Sequence, residues 1–209
     1  MGSTRGARLL LLLLLLPVLA ISLPRGAAAP SPVYDTEGHE VRADADYYVL
    51  PAPGAGGGGG GLTMAPNGLP CPLFVAQEAD PLRKGFPVRL TPLQGRDRTV
   101  RVGFDVGVHF DAVTTCVQTT EWHVSGDDDD TGPRHVVTGP VQAPRPTGRE
   151  KAFRVEKHSH GYKLVWCGNP TSCRDLGVFR YEGERRAWLG VTDDRAHVVV
   201  FKKAPGIHG

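Results

Sequence analysis

Hydrophobic and polar positions along this chain change over short distances, and the pattern predicts strands rather than helices. No long segment repeats apolar residues at positions i, i+3, i+4 and i+7, as an amphipathic helix would. Residues 153–156 (Phe-Arg-Val-Glu) alternate between apolar and polar side chains, which is typical of a strand with one buried face. Residues 197–201 (His-Val-Val-Val-Phe) are apolar almost throughout and predict a buried strand late in the chain.

The predicted strands recur at short, even intervals, which favours an all-β barrel or sandwich of about twelve strands. They cover residues 47–50, 62–65, 73–77, 86–90, 99–104, 106–110, 116–124, 135–138, 153–156, 162–167, 176–181, 187–191 and 197–202. Three segments between them are rich in glycine, aspartate or proline: residues 53–61, 125–132 and 141–148. Such segments predict flexible surface loops.

The first 29 residues predict a secretory signal peptide. Arg5 and Arg8 form a charged start, residues 9–21 are almost entirely apolar, and residues 27–29 are three alanines that suit a cleavage site. The apolar run is shorter than the ~20 residues that a membrane-spanning helix needs. We therefore expect a secreted protein in which residues 30–209 form one folded domain.

The net charge of the chain changes from positive to slightly negative once this leader is removed. The whole sequence has a net charge of +2, but the leader contributes three arginines and no acid, which leaves 21 basic and 22 acidic residues. No basic patch indicates nucleic acid, and no second apolar span indicates a membrane. The remaining chain of about 180 residues is long enough for one domain with a sizeable core, and we expect a monomer.

Four cysteines follow the leader: Cys71, Cys116, Cys167 and Cys173. In a secreted chain, cysteines indicate disulfides before metal ligands or nucleophiles. Four cysteines allow three connectivities. Cys167 and Cys173 flank a five-residue turn, so their local pairing is plausible and would leave Cys71 with Cys116. Loop closure then predicts a stabilisation of roughly 4 kcal/mol for the long bridge and about 2.5 kcal/mol for the short one.

No metal or catalytic motif is complete in this sequence. His158 and His160 lie at alternating positions and could share one strand face, but no third ligand is evident, so an exposed turn is the better interpretation. The four aspartates at residues 127–130 could attract calcium, yet Thr138 stands where an EF-hand loop needs Glu. No Gly-x-Ser-x-Gly or His-Glu-x-x-His motif occurs. We expect no enzyme activity, no cofactor and no bound metal.

Nine short blocks follow one another in order across nearly the whole chain after the leader. They read VYDTEGHE from Val33, YYVL from Tyr47, LTMAP from Leu62, CPLFV from Cys71, TTEWH from Thr119, AFRVEK from Ala152, YKLV from Tyr162, DLGVF from Asp175 and HVVVFKK from His197. Together they resemble the plant Kunitz-type (soybean trypsin inhibitor) family, and most of all its cereal bifunctional α-amylase/subtilisin inhibitors. The resemblance implies a β-trefoil of twelve strands in three pseudo-repeats, with disulfides Cys71–Cys116 and Cys167–Cys173.

The resemblance also implies a loop that binds a serine protease as a substrate would, held in an extended form by the scaffold. That loop consists of Thr91, Pro92, Leu93, Gln94, Gly95 and Arg96, and alignment on Pro92 places the scissile bond at Gln94–Gly95. Trypsin requires Lys or Arg before that bond, so Gln94 favours a subtilisin-like protease. If the register shifts by two residues, Arg96 precedes the scissile bond and trypsin becomes a possible target.

A second face is implied for an endogenous cereal α-amylase. His158, Lys163, Asp175 and Asp193 match its positions, with a hydrated calcium ion at the interface as one option. Two departures from the cereal pattern bear on this face: the span 168–172 is longer, and His158 stands where an aromatic residue is expected. An ordinary solvated charged surface is the alternative interpretation.

A non-inhibitory β-trefoil, either a storage or a carbohydrate-binding protein, is the alternative function. Trp122, Trp166 and Trp188 could stack on sugar rings, although scattered tryptophans more often pack in a core.

Overall fold

The computed structural model describes residues 30–56, 58–114, 116, 119–125, 134–141 and 147–206. The predicted signal peptide, most of the predicted loop 125–132 and residues 142–146 lie outside the described residues. The described residues contain twelve strands: β1 (Tyr47–Pro51), β2 (Leu62–Asn67), β3 (Leu69–Gln77), β4 (Val88–Pro92), β5 (Asp105–Phe110), β6 (Trp122–Val124), β7 (Val136–Thr138), β8 (Phe153–His158), β9 (Gly161–Asn169), β10 (Ser172–Phe179), β11 (Ala187–Thr192) and β12 (Val198–Lys203). The all-β prediction is confirmed.

Helical structure in the described part of the chain amounts to one 3₁₀ turn, Arg149–Lys151, just before β8. None of the helical structure in those ranges has the length and apolar character that a membrane crossing would require.

Six strands close into an antiparallel ring in the order β1, β4, β5, β8, β9 and β12. The ring closes because β12 pairs with β1 on one side and with β9 on the other. The other six strands form three hairpins, β2–β3, β6–β7 and β10–β11. β3 pairs with both β7 and β11, so it joins the three hairpins to one another.

The core fills this ring with side chains that point inward at every second position. On β8, Phe153 and Val155 are fully buried while Arg154 and Glu156 are half-buried, which confirms the predicted alternation. Trp122 of β6 is fully buried in the same core, with the centroid of its side-chain ring 5.1 Å from that of Phe110 and 6.2 Å from that of Phe153. Full burial of each such aliphatic or aromatic side chain contributes about 1.5–3 kcal/mol.

The strand predicted at residues 99–104 is wrong. Thr99 and Arg101 form only isolated bridges, to Arg42 and Pro32. A turn at Gly103, whose φ is 79°, ends the extended run before a ladder can develop. The segment is held instead by single backbone hydrogen bonds to the chain before β1, such as the one from the Val100 N–H to the Val41 carbonyl at 2.8 Å.

The flexible surface loop predicted over residues 53–61 is wrong for its last three glycines, which are buried. The Gly60 N–H donates to the Glu78 carbonyl at 2.8 Å, and the Gly61 N–H donates to the Arg83 carbonyl at 2.8 Å. A Cβ atom on Gly60 would lie 2.2 Å from the Arg83 carbonyl oxygen. These glycines are therefore needed for close backbone approach rather than for flexibility.

Candidate functional site

The predicted protease loop, residues 91–96, leaves the barrel at the end of β4. Thr91 and Pro92 still pair with β5, and the Leu93 N–H donates to the Asp105 carbonyl at 2.9 Å. On the other side, the Arg98 carbonyl accepts from the Ala43 N–H at 2.7 Å. Everything between these two backbone bonds is exposed. The loop is thus an exposed segment that is anchored at both ends.

The loop turns at Gly95, where φ is 80°, so the extended form that the resemblance implies does not run through its whole length. This left-handed backbone conformation is open to glycine at little cost. Gln94 and Arg96 form no ion pair or side-chain hydrogen bond with another residue in the described ranges. Both side chains are therefore available to a partner.

Asp97, just beyond the loop, holds the chain in place where it returns to the barrel. Its carboxylate accepts from the Thr99 N–H at 3.0 Å and from the Arg101 guanidinium at 2.7 Å. These hydrogen bonds, from the Thr99 backbone first and from Arg101 second, hold the pKa of the Asp97 carboxyl below its usual value.

Asp105, at the foot of the loop, is a buried carboxylate whose side chain is 4% exposed. Arg149 donates to Oδ2 at 2.8 Å and Arg154 donates to Oδ1 at 2.6 Å. Burial alone would raise the pKa of Asp105, but the hydrogen bonds and charges of the two guanidinium groups hold it below its usual value.

The predicted amylase residues Lys163 and Asp175 meet on the surface of the sheet. Lys163 Nζ lies 2.6 Å from Asp175 Oδ1 and 3.4 Å from Glu156 Oε2. Strand register causes this, because Glu156 is the direct partner of Lys163, whereas Asp175 faces Val165, two residues along β9. We call Glu156, Lys163 and Asp175 the charged sheet face. The hydrogen bond to Asp175 raises the pKa of Lys163 above its usual value, with a further contribution from Glu156.

Asp193 and His158 are not part of that cluster. Asp193 pairs with Arg174, whose Nη2 lies 2.7 Å from Asp193 Oδ2. Since Arg174 and Asp175 are consecutive in β10, their side chains leave the strand on opposite sides. His158 lies exposed at the end of β8, with its Nδ1 atom 3.3 Å from Ser159 Oγ. The structure thus brings two of the four predicted residues into direct contact.

The disulfides join Cys71 to Cys116 and Cys167 to Cys173, the pairing that the resemblance implies. The first links the start of β3 to the segment after β5, and the second links β9 to β10 across their turn. The described residues contain no free cysteine.

His158 and His160 do face one another, with ring centroids 6.3 Å apart. Within the described ranges, no group of three or more His, Cys, Asp or Glu side chains could hold a metal ion.

The three tryptophans are engaged inside the fold. Trp122 is fully buried and Trp188 is 5% exposed. The guanidinium carbon of Arg134 lies 4.2 Å from the centroid of the half-buried Trp166 ring. This arrangement offers little open aromatic surface for stacking on a sugar.

Reasoning from the sequence missed Glu156 and Arg174. Counting back from the tight turn at Ser159 and His160 would have paired Glu156 with Lys163, so that signal was present. Arg174 and Asp193 lie 19 residues apart, and only the register of β10 against β11 brings them together.

Comparison with known proteins agrees with this geometry. Residues 33–203 match the model of the legume Kunitz family, which is described as trypsin and protease inhibitor. The chain belongs to this Kunitz family. The family assignment made from the sequence blocks is therefore confirmed, as is the prediction that the protein is not an enzyme, because the family model and the cereal relatives are described as inhibitors.

Two relatives and one solved structure show how far the likeness extends. The α-amylase/subtilisin inhibitor of Oryza sativa subsp. japonica is 62% identical over 197 residues, which cover 92% of this chain and 94% of that protein. The endogenous α-amylase/subtilisin inhibitor of Triticum aestivum is 57% identical over 184 residues, or 84% of this chain and 98% of that protein. A solved structure of the rice bifunctional α-amylase/subtilisin inhibitor has a TM-score of 0.70 and 59% identity, covering 84% of this Kunitz chain and 100% of that chain.

Proposed function

We propose that this Kunitz protein is a secreted bifunctional inhibitor, which blocks a subtilisin-like serine protease with residues 91–96 and a cereal α-amylase with the region around Lys163. The observation that carries the proposal is the exposed loop held by backbone hydrogen bonds at Leu93 and Arg98. The rice and wheat relatives named for both activities support the pair of targets.

The domain that carries these surfaces is proposed to be a β-trefoil comprising residues 30–209, released as a monomer after removal of residues 1–29. The strand order supports this: a ring strand, two hairpin strands and a second ring strand recur as β1–β4, β5–β8 and β9–β12. Each such third would be one pseudo-repeat of the trefoil.

The proposed protease mechanism uses preorganisation. Because Leu93 and Arg98 are already tied to the barrel, the loop loses little conformational entropy on binding. The serine of the protease attacks the carbonyl of Gln94, and the two new chain ends stay in place, so the Gln94–Gly95 bond can re-form. Gln94 lacks the positive charge that the pocket of trypsin requires, which favours a subtilisin-like target.

The proposed amylase surface works through charge. Lys163 would pair with a carboxylate of the enzyme's cleft, and Asp175 would face the cleft directly or through a hydrated calcium ion. Asp193, which pairs with Arg174 on the other side of β10, would reach the enzyme, or the same ion, from beside the charged sheet face. His158, exposed at the end of β8 in the hairpin that also carries Lys163, would contact the enzyme at the rim of this surface. Since Lys163 is already paired with Asp175, the enzyme must share or replace that internal ion pair.

Titration of subtilisin, trypsin and a cereal α-amylase with the oxidised chain 30–209 tests the proposal. We expect stoichiometric loss of subtilisin and amylase activity, little loss of trypsin activity, and a ternary complex on size-exclusion chromatography. Loss of subtilisin activity alone would remove the amylase half of the proposal. A folded protein that inhibits none of the three would refute all of it and favour a storage or binding role.

A further inference from the structure

We propose that Asp105 is a positioning residue that ties the protease loop to the hairpin closed by Cys167–Cys173. Asp105, Arg149 and Arg154 form what we call the Asp105 clamp. The inference rests on the protease role proposed for residues 91–96, and it adds that the two target surfaces share one buried support.

The clamp holds the loop through the backbone of Asp105. The Leu93 N–H donates to the Asp105 carbonyl at 2.9 Å, and this is the last backbone tie between β4 and β5 before the chain becomes exposed. Leu93 directly precedes Gln94, the residue whose carbonyl the protease would attack. Any movement of Asp105 therefore moves the atom that fixes the approach to the scissile bond.

The side chain of Asp105 is held at both of its oxygens. Arg149 Nη1 lies 2.8 Å from Oδ2, and Arg154 Nε lies 2.6 Å from Oδ1. Charge-assisted bonds of this kind are stronger than neutral ones and define orientation. With the side chain only 4% exposed, water cannot readily replace either donor.

The same two arginines reach the disulfide hairpin. Arg149 donates to the Cys167 carbonyl from Nε at 3.1 Å and from Nη2 at 2.7 Å. Arg154 Nη2 donates to the Pro170 carbonyl at 3.4 Å. One carboxylate thus connects a loop near residue 94 with a hairpin more than 70 residues later in the sequence. Loosening the carboxylate should loosen both surfaces.

The test compares Asp105→Asn with Asp46→Asn in the oxidised chain 30–209. Asp46 is a matched control, because its carboxylate also receives two guanidinium bonds, both at 2.9 Å from Arg89, within the same ring of strands. Among the described residues, the Asp46 side chain bonds to Arg89 and not to the loop or the hairpin. We expect Asp105→Asn to raise the inhibition constant for subtilisin by about 10- to 100-fold, and Asp46→Asn to leave it unchanged.

Hydrogen exchange separates positioning from a general loss of stability. In Asp105→Asn we expect the Leu93 amide to exchange about tenfold faster, while the Val100 amide, bonded to the Val41 carbonyl at the other end of the loop region, keeps its protection. Equal acceleration of both amides would mean global destabilisation and would overturn the proposal. An unchanged Leu93 amide and an unchanged inhibition constant would overturn it as well.

Arg149→Lys covers the case in which Asp105→Asn does not fold. Lysine keeps a positive charge for Asp105 but cannot donate two bonds to the Cys167 carbonyl. We expect about tenfold weaker amylase inhibition and a smaller increase in Leu93 exchange; wild-type values for both would overturn the clamp. If the unmodified protein does not inhibit subtilisin, the proposed function fails, whereas the exchange of Leu93 still decides the clamp.

Discussion

The protease loop and the charged sheet face are held by different kinds of interaction. Backbone hydrogen bonds at Leu93 and Arg98 fix the loop, and the side chains of Gln94 and Arg96 take no part. On the sheet face, the side chains themselves are engaged, since Lys163 lies between Asp175 and Glu156.

In the protease loop, the side chains that choose the target do not hold the structure together. On the charged sheet face, the same side chains do both. A loop whose shape depends on its backbone can change its target through one side chain at almost no cost in stability. A face built from internal ion pairs offers charges whose partners must be shared or displaced. Five changes test this contrast, and apart from the control variant Arg96→Gln they follow in order of decreasing expected effect.

Replacing Gln94 by Arg should turn the loop into an inhibitor of trypsin. The new guanidinium would meet the acid in the specificity pocket, and we expect binding to trypsin to tighten about 1000-fold. The free energy of unfolding should change by less than about 0.5 kcal/mol, since the side chain is exposed. Residual trypsin activity and urea unfolding measure the two effects.

Arg96→Gln is the control for the register of the loop. If Gln94–Gly95 is the scissile bond, this variant should leave both subtilisin and trypsin titrations unchanged within about threefold, because a rim charge contributes little affinity. If the wild-type protein inhibits trypsin and Arg96→Gln abolishes that inhibition, the scissile bond follows Arg96, two residues beyond Gln94.

Acid should lower the free energy of unfolding, and this affects both regions together because they belong to one barrel. Burial lowers the pKa of His197 to about 4 from an ordinary value of 6.5. At His197 the unfolded chain therefore takes up a proton below pH 6.5 while the folded chain does not, so the contribution of His197 is constant above pH 6.5 and stability falls towards pH 4. His197 should account for about 3 kcal/mol of the loss, and His197→Gln should remove that part while leaving the contributions of His109, His123 and His135, whose pKa values burial also lowers. Urea unfolding at pH 7 and pH 4.5 measures it; equal pH dependence in both proteins would contradict the assignment.

Lys163→Met should weaken amylase inhibition by about tenfold and leave subtilisin inhibition unchanged. The neighbouring Lys157→Met is the matched control: Lys157 is exposed on β8 next to Glu156, and its side chain leaves that strand on the other side. Amylase titration distinguishes them. Equal effects of the two lysines would show that net charge, rather than the Lys163–Asp175 pair, determines binding.

Gly95→Ala should have the smallest effect, a loss of about 1 kcal/mol in the free energy of unfolding. The φ of 80° at Gly95 is strained for alanine, although no heavy atom crowds the position closer than 4.0 Å. Thermal unfolding measures the change. A loss of 3 kcal/mol or more would mean that the loop is packed rather than anchored only at its ends.

The sequence pattern predicts the ring strands well and the irregular connections poorly. The alternation at Phe153 and Val155 follows directly from burial of one strand face. The partners of residues 99–104 are single residues near the N-terminus, which no local pattern indicates. Composition also cannot distinguish a flexible glycine from Gly60, which is needed because a carbonyl oxygen approaches it closely.

The functional regions divide in the same way. The position of the loop and the pairing of Lys163 with Glu156 follow from sequence blocks and from counting across a hairpin. The separation of Asp193 from Asp175 depends on the register of β10 against β11, in which Asp175 faces Thr192, and sequence spacing does not show that register.

The Cys71–Cys116 bridge encloses the proposed scissile bond within its covalent ring. A protease that cuts Gln94–Gly95 would therefore open a ring rather than release two fragments. The new carboxylate and amine would remain on one molecule at a high effective concentration, so that religation is an intramolecular reaction. On a non-reducing gel the nicked protein should migrate as one chain, and only reduction should divide it.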